Sequence, residues 1–456
     1  MDHFASPHNL DRKLQSLLEE ASSNLCNWFA NSGNQGPLPD SFDLPNITPQ
    51  EKGASDSDLL NELGLIMEGA YRPSHPGALA HLDPPPLSAS IIGELICAGL
   101  NNNLLAEELS PSLSSLERQL CKWFCMKLGL GSLSGGVAAS GGSLSNLMAL
   151  VVARNNAGLG HDSKAVFMAS EDSHVSLLKA IRIMGLKRDS LLRIPTDDKG
   201  KIDMNYLSSA FKKIRSEGKK CFAVVATVGT TVRGAIDPIS DIAKFCSSEE
   251  IWLHVDGSIG GVFGLSSLTS KLIEGVSLAN SISVNPQKLL GIAKTSSLLL
   301  VANKNHLASV FSTGLPYAEP LIGDNHHGGE IGIQGTRSAE SLKLWIGLRQ
   351  LGEKGVENLL VKSIERRSYL ESLLDASKFL IVSGPLHLLA FTPKNYTYDQ
   401  TAQWTDETRK SLLINKFMLS RPLYRGKYYL KTVLGNPNTK FEDLKNLAGL
   451  INQSIS

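Results

Sequence analysis

The chain has 456 residues, 42% of them hydrophobic and 20% charged, which is the composition of a globular protein with an ample core. Its 45 basic and 44 acidic side chains give a net charge of +1, a balance that argues against nucleic acid or an anionic membrane as the main partner. The N-terminus has no basic region followed by an apolar run, and the six cysteines form no CxxC pair. We therefore expect a cytoplasmic protein without a secretion signal or a disulfide framework.

Helical patterns dominate the first hundred residues. Leucines recur at helical spacing between residues 8 and 31, which predicts an amphipathic helix, and a second helix is expected near 56–68. Residues 71–86 carry five prolines and predict a loop. The apolar stretch at 91–100 is interrupted by Glu94 and is too short to span a bilayer.

From about residue 111, helix-length segments alternate with short β-rich runs, which predicts βαβ units and a mostly parallel sheet covered by helices on both faces. The runs lie at 165–169, 191–194, 222–227, 251–255, 281–284 and 298–301. After 355 a long helix, short strands and a last helix at 440–453 indicate a separate, smaller unit. We predict an N-terminal segment at 1–110, a large α/β domain at 111–354 and a small C-terminal α+β domain at 355–456.

Polar and glycine-rich residues follow several of the predicted strands. Ligands of α/β sheets bind outside the carboxyl ends of the strands, so these residues are expected to meet at one site. Taken singly, each has a structural explanation, such as a helix cap, a hydrogen-bonded histidine or half of an ion pair. Taken together, a ligand site is the better explanation. The residues are Ser140–Ser143, His174, Gly229–Thr231, Asp256 and Lys288.

Pyridoxal phosphate is the cofactor that matches this set of residues. Its phosphate requires a helix N-terminus and hydroxyl groups, and its ring requires a stacking partner and a carboxylate at the nitrogen. Its aldehyde forms a Schiff base with a lysine. Lys288 lies between two apolar runs, where a free ammonium group is unfavourable. A covalently bound aromatic aldehyde would explain that position.

The motifs resemble those of the group II pyridoxal-phosphate-dependent amino acid decarboxylases, over roughly residues 70–440. They include SHPGALAHL, ASGGSLSNLMALVVAR, SEDSHVSLLKA, ATVGTTVRGAIDPI, LHVDGSIGG, NPQKLLGIAKTSSLLLV and RGKYYLKTVLGNP. The resemblance implies a fold-type I pyridoxal-phosphate-dependent transferase fold. It also implies a homodimer, in which the N-terminal segment clasps the partner.

The resemblance further implies a role for each site residue. Lys288 is the expected Schiff-base lysine, Asp256 the partner of the pyridine nitrogen and His174 the residue stacked on the ring. Tyr317, in STGLPYAEP, matches the tyrosine of a mobile catalytic loop and would protonate Cα after CO2 leaves. The other expected cofactor contacts are Gly142, Ser143, Thr230, Thr231, Asn285 and Gln287.

Two positions depart from the family pattern. Gln287 replaces the histidine of the motif Asn/Asp-Pro-His-Lys, and an amide cannot titrate, so a proton-transfer role at this position is excluded. Lys431 stands where many members have an arginine near the substrate carboxylate, and lysine cannot form the bidentate fork of arginine. The polar residues His75, His81 and Asn103 are, with Lys431, the candidates for the substrate pocket.

We therefore expect decarboxylation of an L-amino acid, and the polar pocket candidates favour glutamate, aspartate or 2,4-diaminobutyrate. The alternatives are an aromatic amino acid decarboxylase, an aldehyde synthase of the same family and a catalytically silent scaffold. Tyr317 argues against the synthase, which typically has phenylalanine there, and Lys288 with Asp256 argues against the scaffold. A metal site at His326, His327 and Glu330 is not expected, because polar residues of a glycine-rich loop are usually solvated.

Overall fold

The computed structural model of the protein describes residues 4–315 and 327–455. Three helices form the N-terminal segment: α1 (Arg12–Asn31), α2 (Asp56–Glu68) and α3 (Ser88–Leu100). Helix α1 begins at Arg12 rather than at residue 8, because the Asp11 carboxylate accepts the Leu14 N–H at 2.9 Å and caps the helix there. Among the described residues, no helix has the length and apolarity needed to cross a membrane.

Within the described ranges, the large domain is built on a seven-stranded sheet. Its strands are β1 (Gly135–Ala139), β2 (Ala165–Ser170), β3 (Leu191–Ile194), β4 (Lys220–Thr227), β5 (Trp252–Gly257), β6 (Ser281–Val284) and β7 (Ser297–Val301). Their order is β1-β7-β6-β5-β4-β2-β3. Strand β7 pairs antiparallel with β1 and β6, and the other pairs are parallel. The predicted mostly parallel sheet is confirmed.

Helices cover both faces of this sheet, as predicted. They are α4 (Pro111–Lys127), α5 (Gly142–Asn156), α6 (Ser176–Ile183), α7 (Met204–Ser216), α8 (Ile239–Ser248) and α9 (Asn305–Phe311). Leu253 and Val255 of β5 pack in the core that includes α4, α7 and α8, whereas Trp252 packs in the core that includes α5, α6 and α9. Because side chains alternate along a strand, His254 and Asp256 point to the α5 side, like Trp252.

The C-terminal part has its own hydrophobic core and a second sheet. Its three-stranded sheet has the antiparallel order β12-β9-β8, and β10 and β11 form a short hairpin. The elements are α10 (Ser341–Leu373), β8 (Phe379–Ser383), β9 (Leu388–Pro393), α11 (Tyr398–Ile414), β10 (Leu423–Tyr424), β11 (Lys427–Tyr428), β12 (Leu430–Val433) and α12 (Phe441–Gln453).

Helix α10 crosses the predicted domain boundary at 354. The helix is interrupted at Gly352, whose φ of 62° and ψ of 179° are not helical. Glycine adopts this backbone conformation more readily than other residues do. The domain limits remain predictions, since a break inside one element does not by itself separate two folding units.

Candidate active site

A cavity of about 250 Å³ lies at the carboxyl ends of the parallel strands β2, β4, β5 and β6. Its walls are formed by the turns that follow these strands and by the N-terminus of α5. Every residue predicted to contact the cofactor lines this cavity: Gly142, Ser143, His174, Thr230, Thr231, Asp256, Asn285, Gln287 and Lys288. The structure therefore brings together residues that are up to 146 positions apart (288 − 142).

Lys288 ends a short 3₁₀ turn, Pro286–Lys288, that follows the fully buried strand β6. The next two residues, Leu289 and Leu290, are buried as well. Burial lowers the pKa of the Lys288 ammonium below its ordinary value, although the carboxylates of Asp256 and Asp83 act in the opposite direction. A lysine whose proton is weakly held is suited to react with an aldehyde.

Asp256 is the penultimate residue of strand β5 and is 5% exposed. Its Oδ2 accepts a hydrogen bond from Asn146 Nδ2 at 2.8 Å, and its Oδ1 accepts one from the Ser258 N–H at 3.1 Å. Burial alone would raise the pKa of this carboxyl group, but the charge of Lys288 and these hydrogen bonds hold it below its ordinary value. Asp256 is therefore ionised in the cavity.

The turn at the start of α5 approaches the cavity closely. Gly141 has a φ of 119°, a conformation that favours glycine, and no side chain caps the helix. A Cβ atom on Gly142 would lie 2.6 Å from Ser258 Oγ, so only glycine fits there. The Asn285 amide oxygen, oriented toward this turn, accepts the Gly142 N–H at 3.2 Å. An uncapped 15-residue helix directs its positive dipole end at this wall.

His174 and the threonines form the remaining walls. His174 is half-buried, its Nδ1 accepts the Ser176 N–H at 3.2 Å, and burial lowers its pKa, so the ring is neutral near pH 7. Thr230 Oγ1 accepts the Ala235 N–H at 3.0 Å, which closes the turn after β4. Gln287 Oε1 accepts the Ser296 N–H at 2.6 Å and thus holds the loop that follows Lys288.

These residues fit pyridoxal phosphate. Thr227 Oγ1 is buried without a hydrogen-bond partner although Thr227 lines the cavity, so a ligand group would satisfy it. The glycine turn leaves room for a phosphate at the N-terminus of α5, where Ser143 also lines the cavity. An amine and an ionised carboxylate face the same space, as an aldehyde and a pyridine nitrogen require.

None of the four predicted substrate residues lines the cavity, but Lys431 contacts its wall and His81 interacts electrostatically with Lys431. Lys431 is half-buried, its Nζ donates to the Thr231 carbonyl at 3.2 Å, and desolvation together with the charge of Lys288 lowers its pKa to about 8. The neighbouring residue His81 is exposed overall. Its pKa is lowered by partial burial of the ring and by the charge of Lys431.

The other two predicted substrate residues, His75 and Asn103, form hydrogen bonds elsewhere in the protein. His75 Nδ1 accepts the Gly77 N–H at 2.9 Å, and the His75 carbonyl accepts from Asn436 Nδ2 at 2.8 Å, beside the C-terminal domain. Asn103 Oδ1 accepts backbone N–H groups of Leu105 and Arg337 at 2.9 and 3.3 Å. Neither is among the residues that line the cavity, and their substrate roles stay predictions.

The loop that carries the predicted proton donor is only partly described. Tyr317 and His326 lie outside the described residues. His327 Nδ1 accepts the Glu107 N–H at 3.2 Å, and Glu330 Oε1 accepts from Ser312 Oγ at 3.1 Å. His327 and Glu330, the described residues of the rejected metal site, are thus hydrogen-bonded to Glu107 and Ser312.

Sequence reasoning missed four polar residues that line the cavity: Asn146, Asp172, Thr227 and Ser258. Each lies inside or directly beside a motif that was singled out for another residue. The signal for Ser258 and Asp172 was their spacing of two from Asp256 and His174, since polar residues flanking a strand-end residue share its surroundings. Thr227 and Asn146 showed no such signal, because a strand-end threonine and a helical asparagine are common.

Known proteins resemble both the sequence and the fold. Residues 43–392 match the family described as the pyridoxal-dependent decarboxylase conserved domain. An aromatic-L-amino-acid decarboxylase of Bacillus atrophaeus is 29% identical over 387 residues, 84% of this chain and 79% of the relative. An L-2,4-diaminobutyrate decarboxylase of Rhizobium meliloti is 28% identical over 369 residues, 80% of this chain and 73% of the relative.

The fold is also that of a solved structure, Oryza sativa TDC with PLP and tryptamine, with a TM-score of 0.91 and 21% identity over 99% of both chains. The predicted fold-type I architecture is thereby confirmed. The family match covers most of the chain and includes the walls of the cavity from Gly142 to Lys288. The chain therefore belongs to the pyridoxal-dependent decarboxylases and is a PLP-dependent amino acid decarboxylase.

Proposed function

We propose that the enzyme decarboxylates a small polar L-amino acid, namely glutamate, aspartate or 2,4-diaminobutyrate, to the corresponding amine and CO2. The observation that carries this proposal is that Lys288 and Asp256 line one cavity in which twelve of the sixteen lining residues carry polar side chains. Ile259 is the single large aliphatic side chain among the described lining residues. An aromatic substrate is usually held by apolar walls.

Each residue has a proposed role in the reaction. The cofactor, when bound, supplies an electron-accepting ring for the electron pair of the breaking bond. Lys288 holds the cofactor covalently, and the ionised Asp256 stabilises positive charge at the ring nitrogen. When the cofactor is bound, His174 would cover one face of the ring, and the N-terminus of α5 with Ser143 would bind the phosphate. Tyr317 donates the proton that replaces CO2 at Cα.

The charges beside the cavity support this substrate class. Lys431 is a half-buried lysine whose Nζ donates to the Thr231 carbonyl in the cavity wall at 3.2 Å. A partly buried cation without a carboxylate among its described hydrogen-bond and ion-pair partners favours an anionic group of the substrate. The similarity to an L-2,4-diaminobutyrate decarboxylase agrees with a small polar substrate.

Product analysis tests this proposal. The purified enzyme with added cofactor is incubated with the standard amino acids and 2,4-diaminobutyrate, and the amines are identified. Lys431→Met should raise KM for the best substrate at least tenfold, whereas Lys294→Met, which removes an exposed lysine paired with Asp83 at 3.1 Å, should leave KM nearly unchanged. Preferential release of an aromatic amine would overturn the polar assignment in favour of an aromatic amino acid decarboxylase.

We also propose a homodimer in the cytoplasm. Helix α1 buries none of its residues, and α3 exposes four large apolar side chains by 48–52%: Ile92, Leu95, Ile96 and Leu100. Exposed apolar helix faces of this kind usually pack against a partner, which supports the homodimer. The six cysteines are free thiols, as in a reducing compartment, which supports the cytoplasm. Sedimentation should give a dimer that Ile96→Glu weakens. Ile414→Glu, at an 83% exposed position, should not weaken it, and a monomeric wild type would contradict the proposal.

A further inference from the structure

A chain of buried hydrogen bonds runs from the core to Asp256. Trp252 Nε1 donates to Ser281 Oγ at 2.8 Å, and Ser281 Oγ lies 2.9 Å from His254 Nδ1. His254 Nε2 lies 3.0 Å from Asn146 Oδ1, and Asn146 Nδ2 donates to Asp256 Oδ2 at 2.8 Å. All five side chains are at most 6% exposed. We call this set the Trp252–Asp256 relay.

The two terminal residues of the relay, Trp252 and Asp256, determine the direction of every hydrogen bond between them. The indole N–H can only donate, and an ionised carboxylate can only accept. Asn146 must therefore turn its amide nitrogen to Asp256 and its oxygen to His254, so His254 must carry its proton on Nε2. His254 Nδ1 then accepts from the Ser281 hydroxyl, which itself accepts from Trp252. All donors point toward the carboxylate.

The hydrogen bonds around Asn146 also prevent its side-chain amide from rotating. Its second amide N–H reaches Ser176 Oγ at 3.1 Å, and its oxygen accepts a further hydrogen bond from Ser283 Oγ at 2.8 Å. Rotating the amide by half a turn would place N–H groups against donors and an oxygen against the carboxylate of Asp256. The orientation is fixed by four partners, as buried polar networks require.

Strand and helix geometry explain why these residues meet. Trp252, His254 and Asp256 alternate along β5 and thus share the face that packs on α5, which carries Asn146. The register of β5 and β6 places Ser281 directly beside His254. The relay is therefore built on rigid elements rather than on loops.

We propose that Asn146 and His254 are positioning residues for the cofactor. His254, neutral and with its proton on Nε2, fixes the Asn146 amide, and Asn146 holds the Asp256 carboxylate ionised and oriented toward the ring nitrogen. Aligned hydrogen bonds strengthen one another in a low-dielectric interior. The proposal concerns cofactor binding and does not depend on which amino acid is the substrate.

Titration of the apoenzyme with pyridoxal phosphate tests this role. Asn146→Leu and His254→Leu should each raise the dissociation constant of the cofactor about tenfold, which is the scale of one hydrogen bond to a charged group. They should also shift the pH midpoint of the bound cofactor's visible absorbance. His254→Gln can still donate from the position of Nε2, so it should bind the cofactor within about threefold of wild type. The double leucine variant should bind no more weakly than Asn146→Leu, because His254 acts only through Asn146.

The control is Thr392→Val, which removes a buried hydrogen bond of 2.8 Å to the Tyr428 carbonyl in the C-terminal sheet. It should lower the melting temperature of the apoenzyme without changing cofactor affinity or the absorbance midpoint. If the leucine variants do not fold, Ser281→Ala takes their place and should weaken cofactor binding more than Thr392→Val does. Relay variants that bind cofactor like the control, or additive effects in the double variant, would overturn the proposal.

Discussion

Replacing Asp256 with asparagine should leave a folded protein that has lost most of its decarboxylase activity. The carboxylate accepts one hydrogen bond on each oxygen, from Asn146 and from Ser258. An amide offers one oxygen, so one of these donors loses its acceptor, which costs about 1–3 kcal/mol of the free energy of unfolding. A domain with a typical stability of about 5–15 kcal/mol still folds after such a loss.

The effect on the reaction should be larger. An amide cannot hold a proton on the ring nitrogen, and Asp256 is 5% exposed, so water cannot take its place. Two unit charges about 3 Å apart interact by roughly 5 kcal/mol at an effective dielectric constant of about 20. Losses measured for single interactions of this kind are about 3 kcal/mol, and we therefore expect kcat to fall by about a hundredfold or more.

The assay measures kcat at saturating cofactor together with the melting temperature. Asp237→Asn is the matched control, because this buried carboxyl group also accepts two N–H groups, from Ile202 at 2.9 Å and Thr227 at 2.7 Å, but does not line the cavity. The control should keep kcat within a few fold of wild type. A kcat near wild type in Asp256→Asn would show that the carboxylate does not face the ring.

Three further outcomes are expected. Lys288→Ala should lose both turnover and the visible absorbance of the bound cofactor, and retention of most activity would exclude it as the attachment lysine. Tyr317→Phe should keep the absorbance but release aldehyde, ammonia and peroxide in air at the expense of amine; an unchanged amine yield at an unchanged rate would require another proton donor. His387 is fully buried, and burial followed by the charges of Arg366 and Lys431 lowers its pKa to about 3. Because the unfolded chain binds this proton near pH 6.5 and the folded chain does not, stability should fall as the pH drops from about 6.5 toward 3, by up to roughly 4 kcal/mol. His387→Leu should flatten that dependence in thermal unfolding of the apoenzyme, and an unchanged slope would assign the acid sensitivity to other groups.

Local patterns in the sequence were sufficient for most of the architecture. Strands β3 and β6 have the predicted limits, and helix α2 spans the predicted residues 56–68. These elements follow from apolar periodicity, which needs no knowledge of distant residues. Strand β1 was not predicted, because Gly135–Ala139 consists of glycine, alanine and one valine, which are weak strand signals. Its pairing with the hydrophobic strand β7 decides its conformation.

The chemistry of the site could also be read from the sequence, since strand ends identify the residues that converge on a ligand in an α/β fold. The order Gly142, His174, Asp256 and Lys288 therefore predicted one cavity and pyridoxal phosphate as its cofactor, and the family resemblance supplied the role of each residue. By contrast, the sequence could not place His75 and Asn103, because loops between domains are positioned by packing rather than by periodicity.

Only the tertiary structure shows what surrounds Asp256. The sequence alone determined that a carboxylate lies near the end of strand β5, because that follows from a local pattern. That Asn146 from a helix and Ser281 from the neighbouring strand meet His254 behind it depends on strand register and helix packing. The contact of Asn146 with His254 joins residues 108 positions apart in the chain, and that of Ser281 with His254 joins residues 27 positions apart. Their physical cause is the requirement that each buried polar group find a partner in three dimensions.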